Sequence, residues 1–283
     1  MKKTKLLIII VSYNSKKHLQ WAISGLSGSR LDIDLSIVDS GSVDTAYIDD
    51  LNFPANINVF IRKETNIGFV AGNNLALSDV NDYDYILYLN PDARIEAANL
   101  DRLIEIANDS SNGYIGAFTV PLIRFNIDTM SSMNIYDSVG IKCNVWGRWY
   151  DYCANEPVTD IINQSIITLT EGICGAFMLV RSSVLSQALD STGQSGLERS
   201  FYMYKEDIEL SCRIISKGYK LGVVNDISAF HCRGWQGKRP NIPYWARYQS
   251  AKNDIFVAVR YKKRALPFSC LKYIFVRFFE KKS

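Results

Sequence analysis

Lys5-Leu-Leu-Ile-Ile-Ile-Val-Ser-Tyr-Asn14 carries an unbroken aliphatic run, Leu6 to Val11, closed by a polar Ser-Tyr-Asn exit. A run without polar alternation is buried on both faces, the habit of a strand inside a parallel sheet. It is far too short to cross a bilayer, and its exit has no small-residue cleavage site. It therefore reads as neither a transmembrane helix nor a signal peptide, and the chain is expected in the cytoplasm. Leu35 to Val38, Ile57 to Ile61 and Tyr85 to Leu89 are further short apolar runs. Helical spacing at Leu19 to Leu26 and helix-compatible segments at Ala71 to Ser78 and Ala97 to Asn108 separate them. That alternation predicts an α/β fold: a Rossmann-like, mostly parallel sheet flanked by helices, with ligands at the carboxyl ends of the strands. The residues to inspect are Ser12-Tyr13-Asn14, Asp39-Ser40-Gly41-Ser42, Asn66-Ile67-Gly68-Phe69 and Asn90-Pro91-Asp92.

From about residue 121 the periodicity blurs into a stretch rich in Tyr, Trp, Asn and Asp, which reads as a loop-rich, aromatic-lined surface. Elements return at Ile166 to Leu169, Ala176 to Val180, a Glu206 to Ser216 helix, a Tyr219 to Val224 strand and a long helix from about Pro243 to Tyr261. The 283 residues are 47% apolar and 22% charged, which suits a globular protein with a sizeable core. A net charge of +3 is too mild to imply nucleic acid. Six cysteines without CxxC pairing, mostly among apolar neighbours, predict buried thiols over disulfides or zinc. The last 24 residues are different in kind: eight basic side chains against Glu280 give them +7, so the rest of the chain carries −4. Within them Leu271, Ile274, Phe275, Phe278 and Phe279 recur at helical spacing, with cations beside that face. Such a helix suits an anionic membrane surface, and docking on the protein's own core is the alternative.

Val11-Ser-Tyr-Asn14, Val38-Asp-Ser-Gly-Ser42, Asn66-Ile-Gly-Phe-Val-Ala-Gly-Asn-Asn74, Leu89-Asn-Pro-Asp92, Gly172 to Met178, Glu206-Asp207 and His231 follow one another in a single order. In that order they resemble a family 2 glycosyltransferase over roughly residues 5 to 260, and the Asn-Pro-Asp form resembles the rhamnosyltransferase-type branch. The resemblance implies a GT-A fold, a nucleotide-sugar donor, a divalent metal (Mn2+ or Mg2+) and inversion at the anomeric carbon. It divides the chain into a nucleotide-sugar-binding half (1–120), an acceptor-binding and catalytic half (121–260) and the basic amphipathic tail (261–283). The expected reaction moves a sugar, with rhamnose from dTDP as the first guess and UDP as the other carrier. Its acceptor would be a lipid-linked glycan or oligosaccharide in bacterial surface polysaccharide synthesis, at the inner face of the cell membrane.

Such chemistry needs positive charge on a departing diphosphate and a base for the acceptor hydroxyl, and two separate acidic sites fit that division. Asp92 follows the Ile86 to Leu89 strand, where Pro91 ends the ladder, so it could hold the metal; the plain alternative is an Asn-Pro-Asp turn. Asn90 supplies no charge and is grouped with the donor residues. By resemblance His231 is the second metal ligand, against a structural histidine; His18 reads as part of a solvated face. Asp207 matches the family's catalytic position and is the expected general base, against simple helix-dipole complementarity, with Glu206 in support. Glu209 faces the acceptor pocket or solvent. Asp39 can accept an imide N–H of uracil or thymine, or cap the following helix. Val11 and Tyr13 would flank the base, and Asn66, Gly68 and Asn73 would line nucleoside and sugar. Gly172 to Ala176, with Gly175, resembles the family's small-residue segment under the sugar. Arg247, Lys252 and Asn253 resemble its basic cluster near the diphosphate, or form a solvated helix face. A nucleotidyltransferase is disfavoured, since Ser12-Tyr13-Asn14 has neither Gly nor Lys. A non-catalytic sugar-binding module could use the aromatics around Trp146 and Trp149.

Overall fold

Every side chain from Leu6 to Val11 is buried in the computed structural model, which describes residues 3–77, 79–158, 165–233 and 242–280. The first half runs β1 (Lys5–Ser12), α1 (Leu19–Ser24), β2 (Asp32–Ser40), α2 (Ala46–Asp49), β3 (Ile57–Glu64), α3 (Phe69–Ala76), β4 (Tyr85–Leu89), β5 (Ala93–Arg94) and α4 (Ala97–Asn108). Strands β6 (Ile115–Thr119), β7 (Leu122–Asn126), β8 (Ser131–Ser138), β9 (Ile141–Cys143), β10 (Trp149–Asp151), β11 (Ile167–Thr170) and β12 (Phe177–Arg181) come next. The chain continues with α5 (Ser182–Leu185), α6 (Glu206–Ser216), β13 (Lys220–Val224), β14 (Ala229–His231), α7 (Tyr244–Tyr261) and α8 (Leu266–Phe279).

The main sheet has the order β11-β13-β6-β12-β4-β1-β2-β3. β1 lies parallel to β2, from Lys5 opposite Asp32 to Ser12 opposite Asp39, and parallel to β4 on its other side. Because side chains alternate across a strand, β1 serves two cores. Leu6, Ile8 and Ile10 pack with Leu19 and Ile23 of α1 and Leu100 and Leu103 of α4. Leu7 and Ile9 pack on the opposite face with Val70 of α3, Ile208 and Ile214 of α6, and Val257 of α7. The parallel expectation holds for β1 to β4, but β12 is inserted antiparallel between β4 and β6. That insertion brings the Gly172 to Ala176 segment against the exit of β4, where the Asn90 N–H donates to the Ala176 carbonyl at 3.0 Å.

The stretch expected to be loop-rich forms strands instead. β7 and β8 join β14 and β5 in a second sheet of order β5-β14-β7-β8, and β9 pairs with β10 as a hairpin. These strands hid from the sequence because they are half-exposed and polar, as in Ser131–Ser138, and the β7–β8 pairing shifts register twice. All six cysteines are free thiols; Cys143, Cys212 and Cys232 are buried as expected, while Cys153, Cys174 and Cys270 are half-buried.

The tail forms the expected helix. α8 packs against α7 through Ser269, Val276 and a Tyr248–Tyr273 hydroxyl pair 3.1 Å apart. Its opposite face leaves Leu271, Ile274, Phe275, Phe278 and Phe279 between 47% and 72% exposed. No described helix is long and apolar enough to cross a membrane.

Candidate functional site

A cleft of about 420 Å³ opens at the carboxyl ends of β1 and β2, lined by Val11, Tyr13, Asn66, Gly68, Tyr202 and Trp245 among others. Gly68 holds φ +86° and donates its N–H to Ser40 Oγ at 3.1 Å. A Cβ there would come within 2.4 Å of the Tyr202 ring, so the close approach requires glycine. Tyr202 in turn donates its hydroxyl to Asn66 Oδ1 at 2.6 Å, joining the two halves of the chain across the cleft. Asp39 is fully buried, and its carboxylate already accepts the Ser42 N–H at 2.8 Å and the Ser42 hydroxyl. An imide N–H reaching Asp39 would share it with that turn. Asn73 departs from expectation: it is buried in α3, where its amide donates to the Phe69 carbonyl at 2.9 Å and braces the helix.

Asp92 and His231 lie together although 139 positions separate them in the sequence. The β14–β5 pairing sets His231 opposite Ala93, and His231 Nε2 stands 3.4 Å from Asp92 Oδ1. The other ring nitrogen, Nδ1, is 2.8 Å from Asp137 Oδ2, and Asp137 is gripped by Arg233 at 2.7 Å and Arg124 at 3.2 Å. Burial alone would lower the imidazole pKa, but Asp137 and Asp92 lift it to about 9. Burial likewise opposes ionisation of Asp137, yet His231 and Arg233 hold it at about 2. One carboxylate oxygen and one imidazole nitrogen side by side, with an outer carboxylate orienting the ring, is a donor set that fits a divalent cation. Among the described residues no group of three or more His, Cys, Asp or Glu could hold a metal, so a cation here would complete its shell with ligand and water oxygens. The Asn90 side-chain oxygen is buried with no hydrogen-bond partner among the described residues, directly before this pair. His18 is not on a solvated face. It is half-buried and close enough to Asp92 and His231 to feel both charges, although burial dominates and lowers its pKa. Only its position after the β1 exit could have signalled this.

The acidic pair opens α6, as expected, but the turn before it is unusual. Tyr204 and Lys205 both hold φ +70°, and the Asn253 amide secures them by donating to the carbonyls of Met203 at 3.1 Å and Tyr204 at 2.7 Å. The Gly175 N–H donates to Asp207 Oδ2 at 3.0 Å, and a Cβ on Gly175 would stand 3.1 Å from Asp207 Cβ. Glu206 and Asp207 line a second hollow of about 230 Å³ with Trp149, Asp151, Tyr204 and Lys205. Tyr204 also borders the first cleft, so the two spaces meet at one ring. Arg233 links Asp137 to Asp151 at 3.1 Å, tying the Asp92–His231 pair to the wall of this hollow.

Three expectations for the late helices are corrected. Glu209 faces neither acceptor nor solvent: it is fully buried, paired with Arg213 at 2.9 Å and accepting the Tyr261 hydroxyl at 2.6 Å. Arg247 is buried with its guanidinium 3.4 Å from Glu280, and Asn253 latches the Tyr204 turn, so neither is a free member of a basic cluster. Lys252, by contrast, is exposed, in line with the solvated-face alternative, beside a groove lined by Phe201, Phe256 and Val259, and it lines neither of the two hollows. These roles were invisible because helix periodicity assigns a face, whereas these partners come from distant elements.

Comparison with known proteins agrees with this geometry. The family model described as Glycosyl transferase family 2 matches residues 7–188. Rhamnosyltransferase WbbL of Escherichia coli (strain K12) is 30% identical over 172 residues, which cover 58% of this chain and 60% of that protein's length. Two solved structures share the fold at 12% identity each. Mannosyltransferase PcManGT from Pyrobaculum calidifontis, in complex with GDP-Man and Mn2+, superposes with a TM-score of 0.57 over 99% of this chain and 71% of that one. GalNAc-T7 with UDP, GalNAc and Mn2+ gives 0.61 over 90% of this chain and 48% of that one. The mixed sheet flanked by helices is a GT-A fold.

The acidic pair also sets a measurable pH dependence. Burial, reinforced by Asp207, pushes Glu206 up to about 8. Burial raises Asp207 too, against the opposing charge of Lys205. In the unfolded chain Glu206 ionises near its ordinary 4.5. Its protonated form therefore contributes native stability that is fully present below about pH 4.5 and lost as pH rises through about 8. Glu206→Gln stays neutral throughout and is expected to flatten that loss. Thermal melts at about pH 5 and about pH 8.5 should show wild type losing more Tm between them than the variant. Equal losses would remove Glu206 as the source.

Proposed function

The chain belongs to glycosyl transferase family 2, and on that premise we propose that it moves a sugar from a nucleotide-diphosphate donor to an acceptor hydroxyl with inversion. The observation that carries this reading is the ring of Tyr204, which borders both the Tyr13–Asn66 cleft and the hollow holding Asp207. A donor in the first and an acceptor in the second would meet there. Residues 1–120 would then hold the donor, 121–260 most of the acceptor side, and 261–283 the tail.

In this reading Val11 and Tyr13 flank the base, and Asn66 and Gly68 line the nucleoside. Gly175 keeps the floor small and fixes Asp207 through its N–H. The acceptor oxygen bonds to the anomeric carbon as the bond to the diphosphate breaks, the electron pair leaving with the diphosphate and the hydroxyl proton passing to Asp207. Lys205 beside Asp207 favours the ionised base, while Glu206 stays protonated and adds no competing charge near neutral pH. Asp92 and His231 would hold a divalent metal, Mn2+ or Mg2+, whose bound charge neutralises the departing diphosphate. His231 is oriented for that by Asp137. The likeness to a rhamnosyltransferase supports rhamnose as the sugar moved; dTDP as its carrier and a lipid-linked glycan of bacterial surface polysaccharide as the acceptor belong to the same proposal. The exposed apolar face of α8 and the +7 tail support work at an anionic membrane surface, on its cytoplasmic side.

Asp207→Asn is expected to cut kcat by roughly 100-fold or more while the Kd for the nucleotide stays within about threefold; retained turnover would refute the base assignment. Asp92→Ala should instead weaken nucleotide and Mn2+ binding together in calorimetry, and unchanged Mn2+ affinity would remove Asp92 from the metal. For the membrane, Ile274→Glu with Phe278→Glu changes only exposed side chains. Wild type is expected to float with phosphatidylcholine vesicles containing phosphatidylglycerol in a salt-sensitive manner, and the double variant should fail to. Undiminished flotation would sink the surface role of α8.

A further inference from the structure

The turn that opens α6 is held from one place on α7. The Asn253 amide takes the carbonyls of Met203 and Tyr204, and the next residue, Asp254, stands 3.7 Å from the Lys205 ammonium. Two consecutive residues of α7 therefore fix both the peptide that leads into Lys205 and the Lys205 side chain. Tyr204 and Lys205 both lie at φ +70°, and left-handed backbone in two successive bulky residues persists only where the surroundings hold it.

Asp254 has a second cation. Lys272 of α8 is ion-paired with Asp254 Oδ2, and its ammonium also lies 3.3 Å from the Ser250 hydroxyl. The side chains of Lys205, Asp254 and Lys272 are only 20%, 8% and 21% exposed, so one shielded carboxylate lies between two ammonium groups. Asp254 Oδ1, the oxygen facing Lys205, is buried without a hydrogen-bond partner among the described residues, so its hold on Lys205 is one of charge. Burial opposes the Lys205 charge, and Asp254, followed by Asp207, Asp151 and Glu206, more than restores it.

The sum of these charges matters at Asp207. That carboxyl is faced by Lys205 and Glu206 from its own turn and helix, by Asp151 of β10 and by the Cys174 thiol ahead of β12. Among the described residues lining this hollow, Lys205 is the sole cation. If Lys205 were alone with Asp254, the two charges would cancel and little field would reach Asp207. With Lys272 present the three side chains sum to +1, and that surplus lies beside the candidate base.

We propose that Asp254 and Lys272 are positioning residues for the transfer step: Asp254 holds the Lys205 ammonium at Asp207, and Lys272, carried on α8, offsets the Asp254 charge so that Lys205 acts on the base in full. The inference rests on the sugar-transfer reading above, and it gives the last helix a part in the chemistry as well as an outward face.

The test follows the Asp207 carboxyl directly in the full chain. With aspartate labelled with 13C at Cγ, Asp207 is the resonance missing from Asp207→Asn, and its chemical shift is recorded against pH. Asp254→Asn keeps the shape but leaves two cations, and is expected to move the Asp207 titration down by roughly half a pH unit or more. Lys272→Met leaves the three positions neutral and should move it up by about as much, while Lys272→Arg keeps the charge and should restore the wild-type curve. The acid limb of dTDP-rhamnose hydrolysis with Mn2+ should shift in the same order, since the base must ionise to act. A helix-packing role alone would lower melting temperatures without opposite shifts. Shifts in one direction, or none, overturn the proposal, as does an acid limb that stays put when the carboxyl moves. Wild type that turns over no nucleotide sugar fails the sugar-transfer premise, and the carboxyl titration still decides where the Lys205 charge acts.

Discussion

The parallel register of β4, β1 and β2 is the constraint on which the rest depends. β1 is packed on both faces, so sliding it by one residue would exchange Leu6, Ile8 and Ile10 with Leu7 and Ile9 and set each row against the wrong helices. With that register locked, Ser12, Asp39 and the Asn90-Pro91-Asp92 exit fall on one edge of the sheet. The second half of the chain is placed against that edge. β12 brings Gly175 beside β4, the Gly175 N–H donates to Asp207, and β14 carries His231 to Asp92. The candidate site is assembled from turns, but a rigid sheet sets the distances.

Charge is handled as a chain of compensations. Asp92, His231, Asp137, Arg233 and Asp151 alternate in sign from the edge of the sheet to the wall of the acidic hollow. Each buried charge costs free energy unless it is paired, and here each is paired on at least one side. The acidic pair is the exception. Glu206 Oε2 is buried without a hydrogen-bond partner among the described residues, and Lys205 is the nearby cation that holds the balance. A carboxyl left short of partners is unusual in a core and ordinary at a candidate site.

Much of this was legible in the chain. The continuous apolar runs gave β4 to the residue and β1 to within one residue at each end, and the 97–108 and 206–216 helices were read at their observed bounds. The order of short motifs pointed to Asp92, His231 and Asp207 before any distance was known, and Asp92 and His231 do stand together. What escaped has a common physical origin. Asp137, Arg233, Asp151 and His18 contribute through contacts between elements far apart in sequence, and no periodicity encodes those. The strands of the second sheet are short, polar and irregular, so composition alone reads them as loop. Asn253 looked like part of a charged helix face because its real work, holding two carbonyls of a left-handed turn, leaves no local trace.

The division of charge between body and tail has a further consequence. The last 24 residues carry +7 and the rest of the chain −4, so the sequence divides its charge between tail and body. Near a negatively charged sheet of lipid the tail would be drawn in while the remainder would be pushed away. In the proposed surface role that attraction would act within about a Debye length, roughly 8 Å in physiological salt, and would draw in α8 first. In the same role, orientation would be selected during approach, with the exposed apolar face of α8 leading.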